Sequence, residues 1–82
     1  MAVNYDAELK AEMERVGYWT RRIAEEKGIS IRRLIGLADL NHQTVFDVLH
    51  GRSNPTMKTL VQLSRALGVE VGDLTRGIPR AQ

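Results

Sequence analysis

Four side chains capable of reading a base edge, His42, Gln43, Thr44 and Asp47, fall within six residues of one another, just after Asn41. Gln43 suits a bidentate pair with adenine, and Asp47 can accept from the cytosine amine. Thr44 suits a thymine methyl or a phosphate, and His42 donates or accepts according to its tautomer. Displayed from the start of a helix, such a set matches the B-DNA major groove, where every base pair shows a distinct donor and acceptor pattern. Other chemistry has little support. Cysteine is absent, and the two histidines, His42 and His50, do not form a metal-binding pair. No nucleophile with a base and an orienting group is visible. The chain is expected to be no enzyme and to need neither cofactor nor metal.

A base-reading helix has to be held by others. The first predicted helix runs from about Asp6 to Lys27, with Tyr5, Leu9, Met13, Val16, Thr20 and Ile23 on one face and Asp6 as its cap. Gly17 inside it costs about 1 kcal/mol relative to Ala, so either the helix is single, straight or kinked, or two helices meet there. Gly28 closes it as a left-handed cap. Ser30 caps a second helix, Ile31 to Ala38, with Leu34 and Ala38 facing inward and Leu37 beside them. After the turn Asp39-Leu40-Asn41, Asn41 caps a third helix, His42 to Leu49, whose inward stripe is Val45, Val48 and Leu49. Gly51 stops it, and Pro55 keeps the following loop non-helical. Thr56 caps a fourth helix, Met57 to Leu67, with stripe Leu60, Leu63 and Leu67, ended by Gly68. Asp73 and Leu74 indicate a short fifth, and the tail from Gly77 to Gln82 is expected to fray.

The 82 residues point to one domain, 1–82, with a helical extension over about 5–17 and the helix-turn-helix over about 30–50. No stretch nears the roughly 18 apolar residues of a membrane span, and Met1 to Arg15 lacks the apolar core of a signal peptide. No membrane contact is expected, and a cytoplasmic setting follows. The formal charge is only +2, but it is unevenly placed. Residues 1–28 carry −1, residues 29–52 carry +1 and residues 53–82 carry +2. The excess lies on the helix-turn-helix and beyond it, which suits phosphate binding on one side. Glu8, Glu12, Glu14, Glu25 and Glu26 read as a solvated face. Trp19 and Tyr18 read as core or subunit contact. Phe46 is out of phase with the inward stripe; it either packs under the second helix or a subunit, or is exposed near a thymine methyl.

The stretch from Ile23 to Leu74 resembles the Cro/C1-type helix-turn-helix domain, the xenobiotic-response-element family of phage repressors and bacterial regulators. Lys27-Gly28-Ile29-Ser30, then Ala38 to Gly51, then Asn54-Pro55-Thr56 followed by Leu60, Leu63, Ala66-Leu67-Gly68-Val69 and Asp73-Leu74 carry the resemblance. It implies an all-α, compact five-helix, lambda-repressor-like bundle, here with an extended N-terminal helix. It also implies base contacts from His42, Gln43 and Asp47, with Thr44 beside them. Phosphate contacts are implied at Ser30, with Arg32 and Arg33 near, and at His50, Arg52, Ser53, Asn54 and Thr56. A transcriptional repressor follows, acting on double-stranded DNA as a homodimer at a palindromic operator, in a bacterial cytoplasm or a phage-infected host, associated with the nucleoid. An antitoxin that binds a toxin and its own operator shares the fold, and so does a protein-binding adaptor without DNA contact.

Four departures stand out. Ile31 replaces the Gln that braces the recognition helix in the family. Ile35 replaces a small residue and is followed by Gly36. Asp39 replaces the turn Gly, and Asp tolerates the left-handed region better than most residues. Ala24 and Leu49 stand where many members pair Arg with Glu, so an ion pair is replaced as a unit by apolar packing. The dimer surface is expected either at Val69 to Ile78, which the resemblance favours, or on the N-terminal helix at Tyr5, Leu9, Met13 and Trp19.

Overall fold

A computed structural model describes residues 4–79. Five helices follow in order: α1 Asp6–Glu26, α2 Ile31–Ala38, α3 His42–Leu49, α4 Met57–Leu67 and α5 Val71–Thr75. The described residues contain no strand. Three of the four capping residues expected from sequence act as caps. Ser30 Oγ accepts from the Arg33 amide at 3.1 Å, Asn41 Oδ1 from Thr44 at 2.8 Å and Thr56 Oγ1 from Thr59 at 3.1 Å. Each such cap is worth about 1 kcal/mol. The expectation for α1 is corrected: Asp6 is already inside the helix, and its amide donates to Asn4 Oδ1 at 2.9 Å. The Asp6 and Glu8 carboxylates instead lie in the first turn, at the positive end of the helix dipole.

Four helices end in the same way, with a left-handed residue and two tightening backbone bonds. Gly28, Gly51 and Gly68 take φ of 65° to 70°, and Asp39 takes φ 54° after α2. The outer bond is 2.8 to 2.9 Å at the three glycines, from the amides of Ile29, Arg52 and Val69, but 3.3 Å from Leu40 at Asp39. A Cβ is harder to accommodate there, and the turn is slightly looser.

At three of these ends further carbonyls are met by long side chains from elsewhere. Gln62 Nε2 donates to the carbonyls of Ala38 and Asp39 at 3.0 and 3.3 Å, closing α2 from α4. Arg21 donates to the Leu49 carbonyl at 3.1 Å, closing α3 from α1. Lys27 Nζ donates to the Leu67 carbonyl at 2.7 Å, closing α4. The two cations also suit the negative ends of those helices.

The core gathers Val16, Trp19 and Ile23 of α1, Leu34 of α2, Val45 and Val48 of α3, Leu60, Leu63 and Leu67 of α4, and Leu74 of α5. Helix α1 is continuous through Gly17, and the glycine is there for packing. A Cβ on Gly17 would stand 2.6 Å from the Val48 carbonyl oxygen and 3.1 Å from that of Leu49. The α1 stripe is buried only from Val16 onward; Tyr5 and Leu9 are exposed and Met13 is half-buried. Leu37 departs from its expected inward place and is 50% exposed. Ile35 is half-buried against the core, so α2 accepts the bulkier residue. Ala24 and Leu49 are both buried, as the paired apolar replacement requires.

Trp19 is core, which corrects its placement on a possible dimer surface. Its indole N–H donates to the Arg76 carbonyl at 2.9 Å, and the Arg76 guanidinium lies 4.0 Å from the ring centroid. Tyr18 meets Trp19 edge-on at 5.0 Å. This set fastens the chain after α5 onto α1. Gly77–Pro79 carry no helix; the rest of the tail expected to fray, 80–82, lies outside the described residues.

Candidate nucleic-acid interface

Helices α2 and α3 form the expected helix-turn-helix, joined by Asp39-Leu40-Asn41. Val45, Val48 and Leu49 turn α3 inward. That leaves His42 and Gln43 exposed on its first turn, with Thr44 half-buried beside them. Asp47 follows one turn later, also half-buried. Gln43 Nε2 donates to Asp47 Oδ1 at 2.8 Å, and Arg52 Nη2 lies 3.4 Å from the same oxygen. Gln43 and Asp47 are therefore aligned one turn apart on the outer side of this short helix, with His42 and Thr44 to either side of Gln43.

The candidate phosphate contacts fall on two elements flanking α3. Ser30, Arg32 and Arg33 are exposed at the start of α2. Arg52, Asn54 and Thr56 are exposed in the loop from α3 to α4, where Ser53 is half-buried. Ser30 and Thr56 are both N-caps, so the free amides and positive dipole ends of α2 and α4 stand next to them. His50 is exposed at the end of α3, its Nδ1 2.8 Å from the Phe46 carbonyl oxygen. Phe46 is half-buried outside the core. It sits between two imidazoles on its own helix, with ring centroids 4.4 Å from His42 and 6.0 Å from His50. On its other side it faces Ile31 and Ile35 of α2 across a shallow hollow. Phe46 is thus half-buried next to the second helix but separated from it by the hollow, neither packed under it nor fully exposed.

A family model for the Cro/C1-type HTH DNA-binding domain matches residues 21–79. The chain belongs to that family. The HTH-type transcriptional regulator DdrOP3 of Deinococcus deserti is 31% identical over 58 residues, which cover 71% of this chain and 45% of that protein. The chain thus spans less than half the length of that regulator. The crystal structure of the restriction-modification controller protein C.AhdI from Aeromonas hydrophila matches with a TM-score of 0.73 at 28% identity, covering 78% of this chain and 97% of that one. A Cro/C1-type domain is a DNA-binding module of transcription regulators rather than an enzyme class. No described helix is long and apolar enough to cross a membrane.

Within this Cro/C1-type domain, two positioning residues escape a reading of the sequence. Arg21 ties α1 to the carbonyl of Leu49, the position where many members carry the Glu of an ion pair, so the same two helices stay linked through backbone. Gln62 holds the end of α2. Both act over more than 20 residues of separation, and no local spacing announces them.

Proposed function

We propose that the chain is a sequence-specific regulator that represses transcription as a homodimer on a palindromic operator in the bacterial cytoplasm. Gln43 and His42 read base edges from the major groove, with Thr44 and Asp47 on the same face. Ser30, Arg32, Arg33, His50, Arg52, Ser53, Asn54 and Thr56 set the register on phosphates. The observation that carries the reading is the layout of α3. Its first turn exposes His42 and Gln43, and the chain on either side of α3 carries two capped helix starts and three exposed arginines, which suits base edges read between phosphate contacts.

One α3 offers few base contacts, which favours two copies on half-sites about 34 Å apart, one helical turn. Residues Val69 to Ile78 supply the surface: Val69 and Val71 are half-buried, and Ile78 is exposed. The relatives add support, one being a transcriptional regulator and the other a controller protein.

Titration of genomic DNA fragments at increasing salt tests the reading. The expected result is a log–log slope of roughly −5 to −9 for a dimer, from released counterions. Binding that is absent, or indifferent to salt, contradicts it.

A further inference from the structure

Asp47 is an unexpected residue to turn toward a polyanion. Its carboxylate lies one turn below Gln43 on the exposed side of α3, and its Oδ1 is held from two directions. Gln43 Nε2 donates to it at 2.8 Å, and Arg52 Nη2 lies 3.4 Å away. Arg52 comes from the loop beyond α3 and offsets the negative charge. The bond from Gln43 has a sharper consequence. A terminal amide turns easily between two orientations that exchange its oxygen and nitrogen. An ionised carboxylate only accepts hydrogen bonds, so the side of the amide facing Asp47 must be the NH2. The Gln43 oxygen and its second N–H are then left for a ligand. Adenine needs that combination, an acceptor for its N6 amine and a donor for N7, whereas guanine offers two acceptors.

We propose that Asp47 is a positioning residue that sets the domain's base preference by holding the Gln43 amide in one orientation, and that it reads no base itself. The proposal rests on the DNA-binding reading above.

The test compares consensus sequences selected from random duplexes. The position of interest is the one whose preference Gln43→Ala erases. At that position Asp47→Ala is expected to lower the adenine-to-guanine ratio about tenfold, on the order of one bidentate contact. Asp47→Asn presents an amide that donates as well as accepts, so it too releases the Gln43 orientation and is expected to lower the ratio. In the Gln43→Ala background, adding Asp47→Ala alters no further position. A separate cytosine position lost with Asp47→Ala in both backgrounds would establish direct reading and overturn the proposal. An unchanged profile for Asp47→Ala would overturn it too, as would a Gln43→Ala profile that has lost no position. If the unaltered protein enriches no sequence at all, the DNA-binding reading fails, and the role of Asp47 falls with it.

Discussion

Gly17 and Val48 meet where α1 crosses α3, so closely that a β-carbon on the glycine would stand 2.6 Å from the Val48 carbonyl oxygen. The obstacle is backbone, which cannot swing aside as a flexible side chain can. Helix α3 is thereby seated directly on α1, the longest of the described helices.

Two of the glycines inside helices, Gly17 and Gly36, should respond in opposite ways to alanine. Gly17→Ala gains helix propensity but forces α1 and α3 apart, and is expected to cost about 1 to 3 kcal/mol as an overpacked contact. Gly36, inside α2, has nothing within 4 Å of an added β-carbon. Gly36→Ala is therefore expected to stabilise by up to about 1 kcal/mol. Urea unfolding of both variants checks the pair.

Thr20 is fully buried in α1, and its hydroxyl has no hydrogen-bond partner. An unmatched buried hydroxyl is a standing cost. Thr20→Val keeps the branched shape and removes the polar atom. A stability gain of about 1 kcal/mol is expected, read as a rise in thermal midpoint.

Arg21→Met keeps an apolar stem and deletes the donor to the Leu49 carbonyl. The end of α3 then lacks a partner from α1. A loss of about 1 kcal/mol in stability is expected, together with faster amide exchange over the last turn of α3. Unchanged exchange there would show that the contact does not hold the helix.

Arg52→Ala removes a cation from the loop after α3. On the DNA-binding reading, the salt slope becomes shallower by about 1 per protomer, with similar weakening on every sequence. A change confined to one sequence would place Arg52 at a base edge instead.

Much of the fold was legible because the signals are local. Ser30, Asn41 and Thr56 mark helix starts within three residues of the amides they cap, and Gly28, Gly51 and Gly68 mark the ends. The stripe of Leu60, Leu63 and Leu67 is one face of one helix. Asp39 was legible as a left-handed turn residue through the resemblance, which places a glycine there. What escaped depends on distance in the chain. Gly17 looked like a possible break because its reason, the Val48 carbonyl, lies 31 residues away on another helix. Leu37 is apolar yet exposed, since Leu34 and Ala38 already take the inward face of a two-turn helix. Trp19 offered core or subunit contact alike until the Arg76 carbonyl was seen beneath its indole. The side chains aligned on α3 were legible as a set, but the Gln43–Asp47–Arg52 arrangement joins a helix to a loop and depends on how α3 ends.

The central claim, that DNA lies against the start of α2, the exposed turn of α3 and the loop up to Thr56, is tested most directly by residue-resolved NMR. Amide shifts would be followed during titration with a short DNA duplex at low salt. The expected result is perturbation clustered at Ser30–Arg33, Asn41–Asp47 and His50–Thr56, reversed by added salt. Perturbation confined to the N-terminal half of α1, or none anywhere, would contradict the account.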